Sequence, residues 1–182
     1  MKVFQIQDDW SFDHLKIVER EQPEPGPGEV LLQVKAASIN YRDLVVPLRG
    51  YGSFTGTLPL VPISDGVGEV VEIGAGVNRV ATGDRACPMF MQKWIAGEPD
   101  LARITSTLGG PIDGVMQEYI VVNEEGLAKI PEYLTDEEAA TLPCAALTAW
   151  SALVTEGDVK AGDTLLVQGT GGVSLFALQF AK

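Results

Sequence analysis

The chain has 182 residues, 46% of them hydrophobic and 21% charged, with a formal net charge of −12. That length holds one good core, or one domain and part of another. The composition is that of a globular chain rather than a disordered one. The acidity, with no clustered basic stripe, excludes nucleic acid as a natural partner. The two cysteines, Cys87 and Cys144, form neither a metal-spaced pair nor a disulfide framework, which suits a reducing compartment. The opening residues Met1 to Trp10 carry acids where a signal peptide has its apolar run. No apolar stretch approaches the ~20 residues that cross a bilayer. The expectation is a cytoplasmic protein with no membrane contact.

Along the first 130 residues the pattern is one of short strands between turns. Pro23-Glu-Pro-Gly-Pro-Gly28 cannot hold a ladder and reads as a surface loop. It leads into a strand at Val30–Val34. A second strand at Val67–Ile73 is bracketed by Gly66 and Gly74. Thr82-Gly-Asp84 turns into Arg85–Pro88. Asp113-Gly114 opens a further strand running through Tyr119–Val122, and Ala128–Pro131 closes the series. Many short strands with glycine-rich turns predict a barrel or sandwich.

The character changes at Thr135-Asp-Glu-Glu138, which has the spacing of a capping box: a hydroxyl for the first free amides and a glutamate three residues on. The helical pattern then runs toward Val154, and Pro143 should kink or divide it. Thr164–Gln168 reads as a short buried strand. Gly169-Thr-Gly-Gly172 follows as a glycine turn, and a helix starts at Val173. Strand, glycine loop and helix in this order are a variant of the dinucleotide fingerprint. Gly169 permits the tight turn, Gly171 lets the main chain approach a pyrophosphate, and the helix N-terminus offers free amides. Ser174 stands at the third position, where glycine or alanine is usual, and should loosen strand–helix packing slightly. The acid that would distinguish NAD from NADP does not occur within the 182 residues.

Four stretches together resemble the medium-chain dehydrogenase/reductase superfamily: Pro23–Glu29, Asn40-Tyr-Arg-Asp43, Asp65–Gly74, and Leu142–Trp150 with the glycine loop behind it. The resemblance implies a mainly β GroES-like barrel domain over residues 1–130. Residues 131–182 are then a connecting helix and the truncated start, one strand and one helix, of an α/β Rossmann domain. It also implies a nicotinamide cofactor, NADP or NAD, and a small-molecule carbonyl or quinone substrate. A homo-oligomer is a further implication.

The resemblance is strongest to the zinc-independent, quinone oxidoreductase-like branch. Where zinc-dependent relatives carry a cysteine and a histidine, this chain has Asn40 and Ser64, and of the three ligand positions only Cys144 keeps a good metal donor. Catalytic zinc takes three ligands from cysteine, histidine and carboxylate, so no zinc is expected. The relatives' four-cysteine lobe is replaced by Cys87, Met89-Phe-Met91 and Trp94.

Site candidates carry alternatives. Asn40 could donate to a substrate carbonyl or cap the helix from Tyr41. Arg42 could bind an anion, polarise a carbonyl or pair with an acid such as Asp43. Tyr51 could donate to a carbonyl or pack at the rim. Thr148 matches a position that contacts the nicotinamide, and could equally bond its own helix. Gly169, Thr170, Gly171, Gly172 and Val173 are the cofactor loop. Asp43 and Asp65 read as structural acids. The expected activity is hydride transfer to a carbonyl, enone or quinone, with the isolated chain inactive. A non-enzymatic GroES-like assembly module and a zinc-dependent alcohol dehydrogenase are the rival readings.

Overall fold

The computed structural model describes residues 1–182. A hairpin of β1 (Lys2–Ile6) and β2 (Leu15–Glu19) comes first. Then follow β3 (Glu29–Ser38), the short helix α1 (Tyr41–Val45), β4 (Asp65–Ile73), β5 (Arg85–Pro88) and α2 (Leu101–Ile104). β6 (Tyr119–Asn123) and β7 (Leu127–Lys129) complete the strands. β3 to β7 form one antiparallel sheet in the order β6-β3-β4-β5-β7. The hairpin is stitched to it through Ile6, which exchanges main-chain bonds with Leu60, and through Phe4 N–H to Met116 C=O.

Register explains the core. Val30 faces Ile73 on one side and Val122 on the other, and Leu32 faces Val70 and Ile120. Val30, Leu32, Val70, Ile120 and Val122 share one buried cluster with Val80, Leu108, Val115 and Leu127, while Ile73 lies at the exposed strand end. Each such aliphatic side chain contributes about 1.5–3 kcal/mol by leaving water. Two bulges interrupt β3 against β4, at Leu31/Leu32 and Val34/Ala36. Beside them Gly68 lets the strands close up: a Cβ there would sit 2.8 Å from the Gln33 carbonyl oxygen.

The long strands stand where the alternation placed them, and β3 and β4 extend past the predicted ends. The strand expected to open at Asp113-Gly114 begins only at Tyr119. Gly114 lies instead against the Ile63 and Pro62 carbonyls, too close for a side chain, and donates its N–H to Val61. Asp113 caps this irregular stretch by accepting from Val61 N–H and pairing with Arg20 at 2.7 Å.

The capping box forms as read. Thr135 Oγ1 accepts from Glu138 N–H, the Glu138 carboxylate accepts from Thr135 N–H, and α3 (Asp136–Ala140) follows. α3 seats Ala139 and Ala140 against Val67 and Cys87. At Pro143 the helix widens rather than stops. Leu142–Ala146 and Ser151–Glu156 are π-helical, separated by α4 (Leu147–Trp150), as expected where proline removes a donor from the i→i−4 series. α5 (Gly172–Phe180) packs across this segment, with Phe180 edge-on to Trp150 at 5.6 Å between ring centroids.

Thr164–Gln168 forms no ladder, contrary to the strand expected there. Leu166 is 84% exposed. A parallel strand is completed by neighbouring strands, and the seven-strand chain offers none beside it.

Candidate functional site

The site begins at the end of β3, where the chain leaves the sheet and turns into α1. Asn40 and Asp43 form a capping box, with the Asp43 carboxylate accepting Asn40 N–H at 2.8 Å. The helix-capping alternative for Asn40 is therefore realised. Its amide nitrogen is left over, buried and without a partner, as is the second oxygen of Asp43.

Against this helix end lies the start of β4. Asp65 is fully buried, and both of its oxygens are used. One accepts from Ser64 Oγ–H at 2.6 Å, the other from Cys144 N–H at 2.8 Å. Burial raises the pKa of Asp65, against the lowering influence of the Ser64 hydroxyl, the nearby Asn40 amide and the Cys144 N–H. Burial likewise raises that of Asp43, with the neighbouring Asp65 charge adding to the shift. The Cys144 thiol is also pushed up, first by burial and then by Asp65. Asn40, Ser64 and Cys144 thus come together in space, as the resemblance implied. No group of three or more His, Cys, Asp or Glu side chains is arranged to hold a metal ion. Asn40 offers an amide, Ser64 a hydroxyl already bonded to Asp65, and Cys144 the one thiol of the three positions. The donor set does not fit zinc.

Arg42 turns the other way. Its two terminal nitrogens donate to main-chain carbonyls, to Leu108 at 2.8 Å and to Gly110 at 3.0 Å. Its guanidinium carbon lies 4.7 Å from the centroid of the Phe90 ring and 5.6 Å from that of Tyr51. The ion pair with Asp43 or another acid is not made, because the carbonyls take both terminal nitrogens. Tyr51 is 43% exposed and follows Arg49, whose φ of 54° turns the chain at that corner.

The residues expected to meet the cofactor lie along the helical crossing and the glycine turn behind it. Thr148 Oγ1–H donates to the Cys144 carbonyl at 2.7 Å, the self-bonding alternative for this threonine. Gly172 lies against Ala145: a Cβ there would be 3.1 Å from the Ala145 methyl. Gly169, at φ 80°, and Gly171 face open space, with nothing within 4 Å of a built Cβ. Leu175 N–H makes the first return bond, to Gly171, so the N–H groups of Gly172, Val173 and Ser174 precede the helical ladder and are available to a ligand. Ser174 donates its hydroxyl to the Gln168 carbonyl at 2.8 Å and so clasps the turn, where the sequence suggested only looser packing.

Sequence reading missed the partners of Arg42. Phe90, Leu108 and Gly110 lie far along the chain, and a carbonyl acceptor leaves no mark in the sequence. The Asp65–Cys144 bond was equally hidden, for the same reason.

A five-stranded antiparallel sheet followed by an irregular helical crossing into a glycine turn frames this site. Residues 26–132 match the alcohol dehydrogenase GroES-like domain, and the chain belongs to that family. It is 46% identical over 173 residues to a zinc-type alcohol dehydrogenase-like protein of Schizosaccharomyces pombe, covering 93% of this chain and 50% of that one. A solved structure of a Sinorhizobium meliloti protein assigned by name to the alcohol dehydrogenases superposes with a TM-score of 0.91 at 42% identity, over 99% of this chain and 53% of that one. The quinone oxidoreductase from Coxiella burnetii superposes with a TM-score of 0.79 at 31% identity, over 100% and 53%. The chain spans about half the length of the curated relatives it matches.

Proposed function

We propose that this chain supplies the substrate-side portion and the first cofactor contacts of a zinc-independent NAD(P)H-dependent oxidoreductase that reduces a carbonyl, enone or quinone. Residues 1–130 serve as the substrate domain, and residues 131–182 as the connecting helix and opening of the nucleotide-binding domain. The observation that carries the nicotinamide reading is the glycine turn Gly169–Gly172. Gly169 and Gly171 face open space, and the turn leads into the free N–H groups of α5, the arrangement that receives a pyrophosphate. The bound nicotinamide would supply the hydride.

The chain's own residues orient and polarise. Gly171, Gly172 and Val173 hold the phosphates through main-chain N–H groups. Thr148 sits beside them on the helix whose Ala145 touches Gly172. Tyr51, exposed at the rim, presents its hydroxyl to the substrate carbonyl and hydrogen-bonds the negative charge that develops there. Asn40 supplies a spare buried amide donor. The support for zinc independence is the chemistry of the three ligand positions, an amide at Asn40, a hydroxyl bonded to Asp65 at Ser64 and a single thiol at Cys144, although two relatives bear zinc-type names.

The test is a titration with NADPH and with NADH, followed by nicotinamide fluorescence. Saturable enhancement that is lost in Gly171→Val supports the reading. No saturation up to millimolar cofactor, with the variant indistinguishable from the parent, overturns it.

A further inference from the structure

We infer that Arg42 is a positioning residue: it does not touch substrate, but fixes Tyr51 and Phe90 as one wall of the site by tying three distant segments together. The inference deepens the proposed reading of this site and rests on it for its functional meaning. Three observations converge. Each terminal nitrogen of Arg42 donates to a main-chain carbonyl, of Leu108 and of Gly110, 66 and 68 residues away, so the guanidinium is oriented by main chain rather than by an acid. The guanidinium also stands beside two aromatic rings, Phe90 and Tyr51. No carboxylate lies within ion-pair distance of Arg42, since every ion pair of the chain is made by another residue.

The chemistry requires arginine. A planar guanidinium can donate along its edge to two carbonyls while its face meets aromatic rings. A lysine ammonium has no such edge-and-face division. The segment bearing Tyr51 is built from short 3-10 turns anchored by the buried Val46, Pro47 and Thr55, with Leu48, Tyr51 and Phe54 exposed, and the guanidinium contact ties its exposed Tyr51 ring toward Phe90 and the Leu108–Gly110 turn. Arg42 also places positive charge near the buried carboxyls of Asp43 and Asp65 without bonding to either.

The experiment reads the rings and the guanidinium directly by NMR on the whole chain, without cofactor or substrate. A chain that fails to bind nicotinamide would therefore still decide this inference. In the wild-type chain the Arg42 side-chain nitrogens are expected as resolved signals at low temperature, because both are held. In Arg42→Lys the Tyr51 and Phe90 ring signals should move toward their free positions, while exposed Tyr41 stays unchanged. Arg49→Lys, which alters an exposed neighbour, should shift neither ring. Averaged guanidinium signals in the wild-type chain, or unmoved Tyr51 and Phe90 rings in a folded Arg42→Lys, would overturn the inference. If Arg42→Lys does not fold, the wild-type guanidinium signals decide alone.

Discussion

Asp65 on β4 accepts the main-chain N–H of Cys144 at 2.8 Å, joining the barrel to the helical crossing across 79 residues of chain. The same carboxylate accepts the Ser64 hydroxyl, so one buried acid holds two elements in register.

Asp65→Ala should strand both donors. Each unpaired buried group costs about 1–3 kcal/mol, so the variant should lose about 2–6 kcal/mol in urea unfolding. Asp65→Asn keeps an acceptor for Cys144 N–H and a donor for Ser64 Oγ, and should stay within about 1 kcal/mol of the parent. Equal losses in the two variants would contradict this assignment.

Asp43 carries the pH signature. Burial raises its folded pKa, so the native state holds the proton more tightly than the unfolded chain does. Its stabilising contribution is complete below about pH 4, where a free aspartate titrates, and is lost as the pH rises through the folded value. Asp43→Asn removes that loss, so its stability relative to the parent should climb from pH 4 toward neutrality. Urea midpoints measured at each pH check this, and parallel curves for the two proteins would count against it.

The two thiols should differ in reactivity. Cys87 is 5% exposed, its pKa is pushed up to about 12 by burial, and its thiol donates to the Ala139 carbonyl. Cys144 is only partly buried. A disulfide reagent at pH 8 should modify Cys144 slowly in the folded chain and reach Cys87 only on unfolding. Simultaneous labelling of both would show that the α3 contact with Cys87 is not kept in solution.

Thr135→Ala removes the hydroxyl half of a complete capping box. The expected cost is about 1 kcal/mol, read as a lower denaturation midpoint. Thr135→Ser should recover most of it.

Much of this architecture was legible in the sequence because its causes are local. Alternating aliphatics place β3 and β4. The spacing of Thr135 and Glu138 gives a helix start, and Pro143 gives the irregular crossing that the structure resolves into π turns. Gly169–Gly172 announced a turn before a helix. What stayed hidden depends on distant partners. Thr164–Gln168 has strand composition but no neighbouring strand, so its pattern has nothing to pair with. Asp113–Glu118 looks like a strand until Gly114 meets the Ile63 carbonyl. Arg42 carries a charge that suggested an ion pair or an anion. Its real acceptors are carbonyls, which every residue possesses and no motif marks.

The centre formed by Asn40, Ser64 and Cys144 is proposed to work without a metal, and metal analysis after equilibrium dialysis of the chain against zinc, beside Cys144→Ser, tests this. Zinc well below one equivalent, and the same in both proteins, is the predicted result. One tightly held zinc per chain that disappears in Cys144→Ser would contradict it.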